Sequence, residues 1–153
     1  MRNSIKIIIA MLITSIFQAC STYTEKEKEA FSSKAVAYAE KHHWKFTTQD
    51  GVAIELLEQG TGNEKIQLGS EISISYKGTL SNGTVFDQTE PGKPLVSKLD
   101  GLIRGFQYAL LNQVAGTKMR LAIPSQHGYG DKKFEKIPEN SLLIFELTIE
   151  AVY

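Results

Sequence analysis

Asp87 follows an aromatic directly in Thr84-Val85-Phe86-Asp87-Gln88-Thr89, at the end of an apolar strand pattern. A carboxylate in that place is either an ordinary solvated turn residue or a group whose oxygens are held at the rim of an apolar pocket. Tyr129, in His127-Gly128-Tyr129-Gly130, is the second candidate: its phenol either donates a hydrogen bond or fills a turn. Other constellations carry less. His127, beside Gly128, reads as an exposed loop residue rather than a base. His42 and His43 are adjacent, so on a helix they point to different sides, and no carboxylate or cysteine stands at ligand spacing; no metal site is expected. No Ser/His/Asp set has a credible ordering, and Gly-Tyr-Gly is too short to cradle a phosphate.

The elements that must position Asp87 and Tyr129 are strands. From Gly51 onward the pattern has period 2: Val52 to Leu57, then Glu71 to Leu80 with Ile72, Ile74 and Tyr76 alternating against Ser73, Ser75 and Lys77. Thr117 to Pro124 alternates Met119, Leu121 and Ile123, and Ser141 to Val152 alternates Leu143, Phe145, Leu147 and Ile149. These four segments predict an antiparallel sheet with one buried face. Asn82-Gly83 predicts a tight hairpin turn with positive φ at both positions. Ile103, Phe106 and Leu110, with Ala109 beside them, predict one short helix closed by Asn112 to Gly116. A single helix of that size covers one face of the sheet, so the sheet must curl around it. The loops 89–94 and 125–138, the latter carrying HGYG and the charged run DKKFEK, are the expected places for binding.

Ahead of the sheet, Glu25 to Trp44 predicts a helix whose Phe31, Ala35, Tyr38 and His42 share one narrow, half-apolar face. It reads as a spacer helix leaning on the domain, or as a surface that pairs two chains or meets a membrane. The first residues read as a secretory signal: Arg2 and Lys6 are basic, and the apolar run Ile7 to Phe17 is only eleven residues, against the roughly 20 that span a bilayer. Ala19 followed by the only cysteine, Cys20, resembles a bacterial lipobox, although Phe17 and Gln18 depart from its commonest form. Acylated Cys20 anchors the chain to a membrane without spanning it. The expected organisation is therefore a signal peptide over 1–19, a lipidated tether and helix over 20–50, and one domain over 51–153. Losing residues 1–19 takes Arg2 and Lys6 from the 17 basic residues and leaves 15 against 17 acidic ones, a formal charge of −2. That balance carries no nucleic-acid footprint.

Four blocks in register, ISYKGTLSNGTVFDQT (74–89), GLIRGFQYAL (101–110), GTKMRLAIPSQHGYG (116–130) and IPENSLLIFELTIEAV (137–152), resemble the FK506-binding-protein type of peptidyl-prolyl cis-trans isomerase. The resemblance implies an α+β fold, a curled antiparallel sheet wrapped around one short helix, with an N-terminal helical extension here. It implies catalytic positions at Tyr76, Phe86, Asp87, Tyr129 and Phe145, and substrate-binding positions at Leu95, Leu102, Ile103, Phe106 and Ile137. Leu95 and Phe106 stand where larger aromatics are common in the family, which makes the pocket less aromatic and roomier; the resemblance implies macrolide inhibitor binding but not tight binding. The implied partners are proline-containing polypeptides of exported proteins, and the implied chemistry uses no nucleophile, metal or cofactor.

An apolar pocket strips water from the amide carbonyl and so favours the less polar, twisted form of the bond, whose rotation is opposed by ~18–20 kcal/mol. Asp87 either hydrogen-bonds near the rearranging amide or fixes the pocket through Tyr76, and Tyr129 donates to a substrate carbonyl. Phe86, Phe106 and Phe145 without the resemblance read as ordinary core. Two functions follow: an envelope-anchored prolyl isomerase, as a monomer or a helix-mediated dimer, delivered to the outer membrane if the Ser21 sorting signal applies; or a binding module with little turnover, acting as a tethered chaperone or scaffold.

Overall fold

Thr24 opens the first helix, α1 (Glu25–Lys41), with a capping box: Glu27 N donates to Thr24 Oγ1, and Thr24 N donates to Glu27 Oε2. Both bonds satisfy backbone donors that a helix start leaves unpaired. The computed structural model describes residues 23–153; the expected signal segment, Cys20 and Ser21 lie outside the described residues. The helix stops at Lys41, short of the expected Trp44. His43 takes a left-handed conformation (φ 56°), its N–H donates to Glu40 O, and Trp44 N donates to Ala39 O. This is the Schellman pattern, which normally employs glycine, and it turns Trp44 back against Ala39.

Seven strands follow where four were expected: β1 (Phe46–Gln49), β2 (Val52–Glu58), β3 (Glu71–Leu80), β4 (Val85–Gln88), β5 (Leu95–Lys98), β6 (Lys118–Ile123) and β7 (Leu143–Val152). They form one antiparallel sheet in the order β1-β2-β6-β7-β3-β4, with β5 also pairing β3. The second helix, α2 (Arg104–Leu110), lies between β5 and β6 in the chain.

The inward residues of the long strands are those the alternation predicts. Ile72, Ile74, Tyr76, Met119, Leu121, Ile123, Leu143, Phe145, Leu147 and Ile149 are buried with Phe106, Ala109 and Leu110 of α2 in one core. Each of the leucine, isoleucine, methionine and phenylalanine side chains among them contributes about 1.5–3 kcal/mol of apolar burial. Gly105 lets α2 approach β6: a Cβ there would lie 2.4 Å from Ile123 Cγ2.

The outer face of the sheet is also covered, which corrects the expectation of a single buried face. Ala53, Ala122 and Ile144 stand side by side across β2, β6 and β7, and Ala35, Ala39 and Trp44 bury against them. Three small or flat contacts in one row allow α1 to lie close to the strands. Beside them Arg120 pairs with buried Glu55 at 2.5 Å and stacks its guanidinium over Trp44 at 5.0 Å, while Glu55 Oε1 accepts from Lys45 N. A buried carboxylate is tolerable there because it has two donors.

The Asn82-Gly83 turn differs from the expected two-residue type. Gly83 N donates to Leu80 O and only Gly83 has positive φ (88°); Asn82 instead accepts from Thr84 N through Oδ1. The extra residue is taken up by a register shift between Gly78 and Thr79. That shift lies beside the site described next.

Candidate active site

Gly78 stands where two strands hand their aromatics to the core. It pairs with Asp87 on one side and Phe145 on the other, and a Cβ on it would lie 2.6 Å from Phe86 Cζ and 2.8 Å from Phe145 Cε1. The missing side chain is what allows the two rings to meet edge to face, with centroids 5.5 Å apart. Phe145 extends the contact to Phe106 at 4.7 Å and to Tyr76 at 6.0 Å, and Tyr76 reaches Phe106 at 6.4 Å. Four of the expected site residues thus form one aromatic cluster, drawn from β3, β4, β7 and α2.

Tyr76 is held at both ends. Its backbone N–H donates to Thr89 Oγ1 at 3.0 Å and its carbonyl accepts from Thr89 N at 3.0 Å. Its hydroxyl donates to Asp87 Oδ2 at 2.5 Å. The second oxygen of Asp87 accepts from Gln88 N at 2.9 Å. Of the two roles open to Asp87, the geometry therefore displays the one that fixes Tyr76. Burial pushes the Asp87 carboxyl above the usual carboxylate range, with the bonds from Tyr76 and Gln88 N pulling it partly back. Burial likewise raises the Tyr76 phenol, and its bond to Asp87 adds to that rise.

Leu102 and Ile137 are buried in the same core, and Leu95, Ile103 and Tyr129 are partly buried against it. Gln107 of α2 holds the segment carrying Leu102 and Ile103 by donating from Nε2 to Leu102 O at 2.8 Å. Phe106 and Phe145 have no exposed surface (0 % each). The floor of the cluster is therefore fully covered by its neighbours.

Tyr129 sits at the end of a tight bend in which Ser125 O accepts from both Gly128 N and Gly130 N at 3.0 Å. Its hydroxyl is buried and has no hydrogen-bond partner. Burial first, and the nearby Asp87 and Glu135 charges second, raise its pKa, so it stays a protonated donor. Phe134 lies flat against it, with centroids 5.0 Å apart and planes within 3°. Phe134 in turn exchanges both backbone bonds with Ile137 across a turn in which Glu135 has φ 47°.

Phe134 and Gly78 are site residues that the sequence reading missed. The signal for Phe134 was a lone aromatic inside a charged run. His127 corrects an expectation: its side chain is only 11 % exposed, packed edge-on to Tyr108 at 5.1 Å, with Asp50 Oδ2 3.7 Å from Nε2.

A curled antiparallel sheet with one helix in its concave face, an aromatic floor and a rim of Asp87, Tyr76 and Tyr129 defines a binding site built for an apolar group attached to a polar one. Residues 62–150 match the family model for FKBP-type peptidyl-prolyl cis-trans isomerases, and the chain belongs to that family. It is 38 % identical over 103 residues to the FKBP-type peptidyl-prolyl cis-trans isomerase FkpA of Buchnera aphidicola subsp. Schizaphis graminum, covering 67 % of this chain and 41 % of that protein. The crystal structure of FkpA from Escherichia coli superimposes with a TM-score of 0.71 at 33 % identity, over 84 % of this chain and 62 % of that one. A peptidyl-prolyl cis-trans isomerase from Pseudomonas syringae pv. tomato gives a TM-score of 0.68 at 30 % identity, over 85 % of this chain and 98 % of that one. The chain spans about two fifths of the length of the curated FkpA relatives it matches.

Proposed function

We propose that this chain is a peptidyl-prolyl cis-trans isomerase that accelerates exchange at X-Pro bonds of exported polypeptides, held at a membrane of the cell envelope by acyl chains on Cys20. The observation that carries the catalytic reading is the buried, unbonded hydroxyl of Tyr129 beside an aromatic cluster. A buried donor with no protein partner costs about 1–3 kcal/mol, and a substrate carbonyl at the pocket satisfies it.

The reaction then needs only differential binding. The apolar walls exclude water from the amide, which removes solvation that favours the planar form. Tyr129 donates to a carbonyl of the bound peptide, and the Tyr76–Asp87 bond holds the rim rigid while the amide twists. Stabilisation of the twisted form beyond that of the planar one is what raises the rate.

Prolyl exchange on a Phe-Pro peptide, read by NMR line shape with the protein starting at Ser21, tests this reading. Fast exchange that disappears in folded Phe145→Ala supports it; exchange no faster than peptide alone overturns it. A second reading, a binding module with little turnover, is favoured by the complete burial of Phe106 and Phe145. In that case the peptide shifts protein resonances without any gain in exchange.

Three finer points belong to the same proposal. The anchor on Cys20 is supported by the Ala19-Cys20 junction, and Ser21 is compatible with delivery to the outer membrane; an intact mass with Met1 retained and Cys20 unmodified overturns it. Among the described residues no helix is long and apolar enough to cross a membrane. The chain acts as a monomer, because the Ala35 and Ala39 face of α1 is already spent on its own sheet, and sedimentation as a dimer overturns that.

A further inference from the structure

Helix α1 and Tyr23 just ahead of its cap lie outside the residues that match the family model, 62–150, yet between them they bond to both stems of the loop that carries Tyr129. At the first stem Gln126 Nε2 donates to Ser32 Oγ at 3.0 Å and to Lys28 O at 3.2 Å. Gln126 adjoins Ser125, whose carbonyl collects Gly128 N and Gly130 N and so sets the bend on either side of Tyr129.

At the second stem the Tyr23 hydroxyl, just ahead of the helix cap, donates to Asn140 Oδ1 at 2.7 Å. Asn140 N donates to Gly130 O at 2.9 Å, which returns the tie to the residue after Tyr129. The helix itself is seated: a Cβ on Gly51 would lie 2.1 Å from Ser32 Oγ, and Tyr23 packs edge-on against Phe31 at 4.9 Å. Ser32 is thus pressed between the β1–β2 turn and Gln126, with little freedom to drift.

We propose that α1 braces the Tyr129 loop: Ser32 and Lys28 acting through Gln126, and Tyr23 acting through Asn140, are positioning groups that hold the Tyr129 hydroxyl at the pocket. The helix is then part of the working enzyme and not only a spacer between anchor and domain. The inference rests on the isomerase reading for its effect on turnover. Turnover is sensitive to such a brace because small displacements of a positioned group weaken transition-state contacts far more than they weaken folding. Residues that only fasten a spacer leave turnover per folded molecule untouched when they are removed.

The test uses the full chain in detergent, with Ser32→Ala, Tyr23→Phe and the double variant. Ser33→Ala is the control, since its hydroxyl is exposed and bonds only to Glu29 O of its own helix. Two quantities are read: kcat and KM for exchange of a Phe-Pro peptide, and the NMR line widths of the Tyr129 ring. The double variant is expected to lose about tenfold in kcat, with KM changed by less than about twofold and the Tyr129 ring resonances broadened, while Ser33→Ala matches the parent. Parent-like kcat per folded molecule together with a parent-like ring spectrum overturns the brace, and so does a lowered Tm with both unchanged. If the parent itself gives no exchange, the isomerase reading fails and the ring spectrum alone decides: broadening in the double variant supports the brace and its absence overturns it.

Discussion

The Tyr76 hydroxyl donates to Asp87 Oδ2 at 2.5 Å, joining an aromatic of the core to a carboxylate at the rim. Burial opposes the charge on Asp87 and raises its pKa above the ordinary 3.8. The native state therefore holds that proton more tightly than the unfolded chain does. The stability it contributes is present below the unfolded value and is lost as pH rises through the higher native one. At neutral pH the charge is a burden that the fold carries. Asp87→Asn keeps an acceptor for Tyr76 without the charge, and is expected to keep or raise Tm at pH 7. Asp87→Ala removes the acceptor, and is expected to lower turnover by about tenfold or more while lowering stability by less. Turnover per folded molecule equal to the parent's in Asp87→Ala would remove Asp87 from the mechanism.

Gly78→Ala tests whether the aromatic floor requires an absent side chain. The new methyl would fall inside contact distance of both Phe86 and Phe145, and neither ring can retreat because both are buried. Overpacking of this kind costs about 1–3 kcal/mol. Denaturant titration is expected to show a loss in that range, accompanied by weaker peptide binding. A stability within about 0.5 kcal/mol of the parent means that the rings have room to part.

These two predictions rest on residues of unequal legibility. Asp87 and Phe86 were visible because an acid beside an aromatic at a strand end is chemically odd, and Tyr76, Phe145 and Phe106 lay on clean alternations or helical spacings. The inward faces of β3, β6 and β7 followed from those same alternations. Strands β1 and β5 did not, since four residues are too few to display a period; β4 showed only as the short apolar stretch ahead of Asp87. Burial of His127 was invisible because it depends on Tyr108 and on Asp50, far away in the chain. The tie from Gln126 to Ser32 spans 94 residues, and nothing local in either segment announces it. The left-handed His43 was hidden for another reason: the motif usually carries glycine, and histidine gives no such hint.

Tyr129→Phe separates stability from activity in the opposite sense to Gly78→Ala. The hydroxyl is buried without a partner, so its removal breaks no bond and relieves an unsatisfied group. The ring stack on Phe134 is kept. The variant is expected to be at least as stable as the parent by denaturant titration, and to lose about tenfold or more in kcat for prolyl exchange. A lowered stability would mean that the hydroxyl is bonded in the folded chain, and an unchanged kcat would assign the substrate contact to another donor.

His127 gives the protein a pH-dependent seam between the Tyr129 loop and the β1–β2 turn. Its imidazole is only 11 % exposed and its buried Nδ1 has no hydrogen-bond partner, so a second proton would leave a charged N–H unsatisfied in the interior. Burial accordingly lowers its pKa below the ordinary 6.5; Asp50 opposes the shift, while Arg104 and Lys28 reinforce it. Between the native value and 6.5 the unfolded chain binds more protons than the native one, so stability rises with pH across that window. The contribution is complete above the ordinary histidine range and is lost as pH falls from 6.5 through the lower native value. Denaturant titrations of the parent and of His127→Gln at a series of pH values check this, because every other titrating group is common to both chains. The parent is expected to lose stability more steeply on acidification than His127→Gln does. Parallel curves from pH 7.5 down to about 5 would show that the imidazole takes up its proton as easily in the folded chain as in the unfolded one, and that its burial carries no electrostatic cost.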